Sequence, residues 1–243
     1  MRIITVPCLQ DNYAYLIDAG GFCAVVDPSE PEPVVAALKR EGLTLTHILN
    51  THHHSDHTGG NRALKTAFGA QVVGPAGDAG RIPGIDIGVR EAEGWQWAGR
   101  KGQVLEVPAH TRGAITFVID GNAFTGDTLF VMGCGRLFEG DAATMHKSLS
   151  KLAALPDDTK IWCGHEYAAS NGRFALTLEP GNAALQAKMK KLPRPSVPST
   201  LAEEKATNPF LRTDSAEIRK TLGMEKADAV SVFAEIRSRK DRF

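Results

Sequence analysis

The stretch Thr51-His52-His53-His54-Ser55-Asp56-His57 decides how this chain is read, because it packs cation ligands for two sites into one short run. His52 and His54 lie two apart, so on an extended segment they point the same way and can chelate one ion. Asp56 and His57 follow where the chain must turn before a helix, and so face a neighbouring position. Imidazole with carboxylate suits zinc, iron or manganese, and no thiolate is needed. None of the four cysteines has the spacing of a structural zinc site, which leaves a catalytic, water-bearing centre as the expectation. His53, between two ligands, is expected to point away, and His47 and His146 read as packing or surface residues.

Three further candidates each follow a run of strand character. Val104–Val107 leads to His110, Ala123–Thr125 to Asp127, and Lys160–Cys163 to His165. Strand ends that each deliver a ligand to a loop are how a sheet scaffold assembles a site. His52, His54, Asp56, His57, His110, Asp127 and His165 give each of two ions three protein ligands if one aspartate bridges.

That set, His52-x-His54-x-Asp56-His57 with His110, Asp127 and His165, resembles the dinuclear site of the metallo-β-lactamase superfamily. Further motifs narrow the likeness: Gly126-Asp127-Thr128-Leu129-Phe130, Gly133-Cys134-Gly135-Arg136-Leu137-Phe138-Glu139-Gly140, Gly164-His165-Glu166-Tyr167 and Asn208-Pro209-Phe210-Leu211. With these the chain resembles the hydroxyacylglutathione hydrolase (glyoxalase II) family over essentially its whole length, to the closing Arg239-Lys240-Asp241-Arg242-Phe243.

The resemblance implies an α+β fold: an αββα metallo-β-lactamase-type sandwich over residues 1–165, then a small helical substrate-binding domain over 166–243. It assigns His52, His54 and His110 to one ion and Asp56, His57 and His165 to the other, with Asp127 bridging. Two divalent ions per chain are implied, zinc foremost, with iron or manganese also accepted by such ligands. Asp127 and Asp56 would hold a hydroxide between the ions, aimed at the carbonyl of S-lactoylglutathione or a related 2-hydroxyacyl thioester in methylglyoxal breakdown. A thiol of pKa near 8.5 leaves without a general acid. By the same resemblance, glutathione is held by Arg136, Phe138, Tyr167, Arg237 and Lys240, the last two neighbours on one helical face. Charge-assisted bonds to its two carboxylates suit those cations. There are two departures: Phe138 stands where some relatives have tyrosine, and Ala114 where many place a second histidine.

Rival readings are a mononuclear iron persulfide dioxygenase of the same fold, which needs fewer ligands, other hydrolases of the fold, and a non-catalytic binding protein that would have lost ligands. Cys134 between glycines reads as a tight-turn residue, since a metal-activated water makes a thiol nucleophile redundant.

The bounds agree. At 243 residues and 42% hydrophobic, the chain holds one large domain, or one with a small companion. Net charge is zero, against nucleic acid or an anionic membrane as partner. No apolar run is long enough to cross a bilayer, the N-terminus is not signal-like, and four unpaired cysteines fit a reducing cytoplasm. A cytoplasmic monomer is expected.

Strands are expected over Arg2–Val6, Asn12–Ile17 and Phe22–Val26, with a hairpin through Asp18-Ala19-Gly20-Gly21, and later at Ile115–Ile119. Helices are expected over Pro33–Glu41, Thr58–Phe68, Ala142–Leu155, Asn182–Leu192 and Ala227–Lys240, with capping boxes at Thr200/Glu203 and Asp214/Glu217.

Overall fold

Successive residues of a strand face opposite sides, so a sheet apolar on both faces must be covered on both. At Asn12–Asp18, Tyr13, Tyr15 and Ile17 enter one core cluster while Ala14 and Leu16 enter another. The computed structural model, which describes residues 1–243, builds two six-stranded sheets on this pattern. The first holds β1 (Arg2–Cys8), β2 (Asn12–Asp18), β3 (Cys23–Val26), β4 (His47–Leu49), β5 (Gln71–Pro75) and β6 (Ile87–Val89) in sequence order. β1–β3 are antiparallel, and β3–β6 are parallel. The parallel pairs need crossovers, supplied by α1 (Pro31–Glu41) and by α2 (Ser55–Thr58) with α3 (Asn61–Phe68).

The second sheet runs β14 (Ser199–Thr200), β13 (Lys160–Cys163), β10 (Asn122–Gly126), β9 (Ile115–Ile119), β8 (Arg100–Glu106) and β7 (Trp95–Trp97). A two-stranded ribbon, β11 (Leu129–Phe130) with β12 (Gly133–Cys134), follows β10. One core cluster joins Tyr15, Val26 and Leu49 of the first sheet to Val104, Phe117, Phe124 and Trp162 of the second, so the sheets pack face to face. Val34 and Leu38 of α1 cover the outside of the first sheet. Leu149 and Leu152 of α4 (Ala142–Ala153), with Phe233 and Ile236 of α9 (Ala229–Asp241), cover the outside of the second. This is the expected αββα order. No helix is long and apolar enough to cross a membrane.

Beyond His165 come α5 (Ala168–Leu178), α6 (Ala183–Lys190), α7 (Leu201–Thr207), α8 (Ala216–Leu222) and α9. β14 pairs antiparallel with β13, so this segment also supplies an edge strand of the second sheet.

Three local expectations change. The helix expected over Thr58–Phe68 is two helices broken at Gly59-Gly60, and it begins upstream, so Asp56 and His57 lie in the first turn of α2. A Cβ at Gly59 would stand 2.4 Å from the Ser29 carbonyl oxygen, and one at Gly60 2.9 Å from that of Pro28. The break lets the chain pass against the β3–α1 loop. The Thr200/Glu203 box forms, but Asp214/Glu217 does not: Ser215 caps α8, and Glu217 accepts from the Gly181 amide at 2.7 Å. Cys134 is not in a turn but in β12, buried.

Glu204 of α7 is fully buried and ties the helical segment to the ribbon. It accepts from the Met132 amide at 2.7 Å, Ser199 Oγ at 2.6 Å, Lys188 Nζ at 2.9 Å and Asn208 Nδ2 at 3.1 Å. Removing one partner of a buried charge pair costs about 3–5 kcal/mol, so Glu204→Ala should lose about that much in urea unfolding. A loss under ~1 kcal/mol would mean that the network is replaceable by water.

Candidate metal centre

The histidine run lies between β4 and α2, and its backbone is fixed before any ion is considered. Asn50 Nδ2 donates to the His57 carbonyl at 3.0 Å, and the Thr51 amide and hydroxyl donate to Asp27 at 2.8 and 2.7 Å. Asp127 follows Gly126, whose φ of +48° turns the chain at the end of β10. Gly164, just before His165, has no room for a side chain: its Cβ would lie 2.5 Å from Asp127 Oδ1.

Two groups of ligand atoms result. His52 Nε2 and His110 Nε2 each stand 3.1 Å from His54 Nδ1. His57 Nε2 stands 3.3 Å from His165 Nε2, and Asp56 Oδ2 lies 3.5 and 3.3 Å from these two. Asp127 sits between the groups, with Oδ1 3.3 Å from His57 Nε2 and Oδ2 3.3 and 3.5 Å from His165 and His110. Four ligands around a cation at 2.0–2.1 Å stand roughly 3.3–3.4 Å from one another, and the observed spacings match that edge. Asp127 is 8% exposed, and its Oδ1 accepts no hydrogen bond. A buried carboxylate oxygen left unsatisfied among imidazole nitrogens is costly without a cation. The residues present therefore fit two divalent ions, with Asp127 within reach of both positions.

The far side of every ligand ring except that of His54 is also held. His57 Nδ1 donates to Asp27 Oδ2 at 3.1 Å, His165 Nδ1 to Asp11 Oδ1 at 2.9 Å, and His110 Nδ1 to the Arg136 carbonyl at 3.0 Å. His52 Nδ1 donates to Thr51 Oγ1 at 3.0 Å, and Asn12 Nδ2 donates to Asp56 Oδ2 at 3.1 Å. Each bond to a ring fixes which nitrogen keeps its proton, so the other is the one that ligates once it is deprotonated. Asp27, His52 and His57 also form a compact triad, but Asp27 already accepts from Thr51 and His57, so it orients the rings from behind.

Burial pulls His52, His54 and His110 below the usual imidazole range, towards the neutral form that binds metal. Burial acts the same way on His57 and His165, but the facing carboxylates override it, chiefly Asp127. His57 is held well above its ordinary value and His165 rises to about 10. Asp56 and Asp127 stay ionised against burial because these histidines face them.

A cleft of about 480 Å³ runs from His54, Asp56, His110, Asp127 and His165 past Phe130, Arg136, Phe138 and Tyr167 to Arg237 and Lys240. Tyr167 stacks on His165 at 4.8 Å with rings 6° from parallel, and burial pushes its hydroxyl up to about 12, so it stays a donor. Phe138 is 61% exposed, its ring 5.8 Å from His54 and 5.2 Å from His110. Lys240 reaches Ser170 Oγ at 3.2 Å, and burial plus the cations Arg237, Arg173 and Arg136 depress it. That crowding marks the far end as a place for anions. Arg237 differs from its partner: it is 5% exposed, donates to the Cys134 carbonyl at 2.9 Å and pairs with Asp241 at 2.8 Å. It lines the cleft while bracing α9 against β12.

Five of the seven ligand candidates and all five substrate candidates thus line one continuous space, and His52 and His57 complete the ligand groups behind it. Asp27 was missed, although it too stands just past a strand end, after Val26, with the positive φ of 47° that a loop-borne functional residue can carry. Asp11 and Asn12 lie at the first turn, where β1 leads into β2, and spacing alone assigns them no role. Ala114 is buried, and the structure gives it no role at the centre.

The sequence profile described as the metallo-beta-lactamase superfamily matches residues 10–165, and that described as hydroxyacylglutathione hydrolase C-terminus matches 166–243. A relative from Methylococcus capsulatus named hydroxyacylglutathione hydrolase is 50% identical, with 100% of this chain and 99% of that protein aligned. Among solved structures, ETHE1 from Myxococcus xanthus is similar with TM-score 0.69 at 27% identity, covering 99% of this chain and 98% of its own. TTHA1623 in a di-iron-bound form has TM-score 0.64 at 27% identity, covering 87% of this chain and 100% of its own.

Two consequences can be measured. Protons and metal compete for the same imidazole nitrogens, and a group with its pKa raised to about 10 is protonated at pH 7. Loading divalent ions into metal-free protein at pH 7 should therefore release about one to two protons per chain, with affinity rising as pH rises; calorimetry in buffers of different ionisation enthalpy reads this. Release near zero would contradict it. Asp127→Ala should empty both positions and lower turnover by more than the roughly 10–100-fold of an outer-shell change. Normal rates with both ions present would remove the bridging role.

Proposed function

The chain belongs to the hydroxyacylglutathione hydrolase family of the metallo-β-lactamase superfamily, and we propose that it hydrolyses S-(2-hydroxyacyl)glutathione, S-lactoylglutathione above all, to glutathione and the 2-hydroxy acid. The observation that carries this is the continuity of the cleft: a cationic far end at Arg136, Arg237 and Lys240 opens without interruption onto the Asp127-bridged ligand clusters. In this reading residues 1–165 carry the chemistry and 166–243 most of the substrate contacts.

Two divalent ions, which we take to be zinc first among zinc, iron and manganese, supply when bound a water of lowered pKa and a Lewis acid for the carbonyl oxygen. The chain's own groups do the rest. Asp56 and Asp127 carboxylate oxygens accept the O–H of the attacking water and aim its lone pair. Lys240 and Arg136 take the glutathione carboxylates, Tyr167 donates its hydroxyl, and Phe138 walls the cleft beside His54 and His110. The leaving group is a thiolate with a pKa near 8.5, so no side chain need protonate it. Cys134 is no rival nucleophile, because burial pushes its thiol up to about 11. Against a mononuclear oxidoreductase stands the second ligand group, Asp56, His57 and His165. We place the enzyme in the cytoplasm as a monomer with a small-molecule substrate, and no nucleic acid or membrane partner.

The test is thiol release from S-lactoylglutathione beside an acyl-coenzyme A and a lactone, with metal counted per chain. Preference for the lactone, or full activity with one ion, would overturn the proposal. Lys240→Ala should raise KM on the order of 10-fold with kcat changed less, since a charge-assisted bond of about 1.5–3 kcal/mol, discounted for partial exposure, is made equally in ground and transition states. An unchanged KM would leave Lys240 a solvated helix end. Arg237→Ala should lower stability as well, because it also removes the brace on Cys134 and Asp241.

A further inference from the structure

Glu139 closes the loop that carries Arg136 and Phe138, and Arg81 grips it with two bonds. Arg81 Nη1 donates to Glu139 Oε1 at 2.5 Å and Nη2 to Oε2 at 3.0 Å. The same guanidinium donates through Nε and Nη2 to Asp78 Oδ1 at 3.1 and 2.5 Å, and through Nη1 to His53 Nε2 at 3.1 Å. Because His53 accepts at Nε2, its proton is on Nδ1, which donates to Asp78 Oδ2 at 3.1 Å. That explains why the histidine between two ligands turns away. The Arg112 amide, two residues past His110, also donates to Glu139 Oε2 at 2.7 Å.

An exposed ion pair ordinarily contributes little. This one differs: Asp78 is 3% exposed, the guanidinium serves two carboxylates and a ring nitrogen at once, and its bonds to Glu139 are two-pronged. The loop it holds touches the ligand His110 independently, since His110 Nδ1 donates to the Arg136 carbonyl and the Glu139 amide to the Ala109 carbonyl at 3.2 Å. No role in the reading above falls to Arg81, Asp78 or Glu139.

We infer that Arg81 is a positioning residue that fixes the register between the Arg136–Gly140 loop and the His52–His57 run, so that a thioester anchored by its glutathione end brings its carbonyl to the metal pair. The kinetic part rests on the glutathione-thioester reading. A lysine, one point charge, cannot span both carboxylates, so Arg81→Lys restores only part of the function.

The test uses the metal-loaded enzyme and two substrates, S-lactoylglutathione and the truncated thioester S-lactoyl-N-acetylcysteamine. In Arg81→Ala the metal content stays that of the parent, and kcat on S-lactoylglutathione falls on the order of 100-fold, the size of a misplacement near 1 Å. On the truncated thioester, which has no distant anchor to register, kcat/KM stays within about twofold. Glu139→Gln gives a similar loss, and the double variant adds little to it. Without any substrate, the amides of Arg112 and Glu139 exchange hydrogen faster in Arg81→Ala than in the parent. Equal losses on both substrates, a fall in metal content, or unchanged kcat on S-lactoylglutathione would overturn the inference, as would unchanged exchange. If the parent enzyme ignores S-lactoylglutathione, the functional reading fails, and the exchange measurement alone still decides whether Arg81 holds the loop.

Discussion

A buried carboxylate with one oxygen left without a hydrogen bond is the constraint on which the rest of this structure turns. Asp127 stands among the imidazoles of His57, His110 and His165, and its Oδ1 has His57 Nε2 beside it at 3.3 Å but accepts no hydrogen bond of good geometry. Burying such a group costs several kcal/mol unless charge compensates it, and cations held by the same residues would supply that charge. Everything near it is arranged to keep it there. Gly126 turns the chain, Gly164 leaves space, and the rings opposite are pinned from behind by Asp11, Asp27 and the Arg136 carbonyl.

The ligand set was legible in the sequence for a physical reason: close chelation needs short spacing, and short spacing leaves a motif. His52, His54, Asp56 and His57 advertise themselves, and strand-like runs before His110, Asp127 and His165 place these at the same end of the sheets. The layered fold was legible through the family resemblance that this ligand set and the motifs around it carry. What the sequence hid depends on contacts between distant segments. Asp27 is one aspartate after one strand until Thr51 and His57 are seen to donate to it. The break at Gly59-Gly60 is set by the Ser29 and Pro28 carbonyls, about thirty positions away and invisible to helical periodicity. Arg237 read as half of a basic, substrate-binding pair on one helical face, and the packing of α9 against β12 buries it; helical spacing gives the face and says nothing of what lies on it.

The cleft divides its labour by charge. The carboxylates gather at one end, where each faces an imidazole, and the cations Arg136, Arg237 and Lys240 gather at the other, where burial and the neighbouring arginines depress Lys240. A substrate with anionic groups remote from a reactive carbonyl is oriented by that gradient before any shape is read. The Arg136–Gly140 loop lies between the two regions and is tied to each, to His110 through a carbonyl and to the metal run through Arg81.

The ligands are contributed by both sheets: the His52–His57 run comes from the first, with Asp11 and Asn12 bracing from behind, and His110, Asp127 and His165 come from the second. Neither sheet alone owns a complete ion position, since one group needs His110 and the other needs His165. A chain still assembling, with only its first sheet formed, would hold cations weakly and exchange them with its surroundings. Firm retention begins when the halves meet. Ion residence time thus reports on tertiary assembly, and damage to the sheet interface far from the cleft would first be seen as leakage of metal.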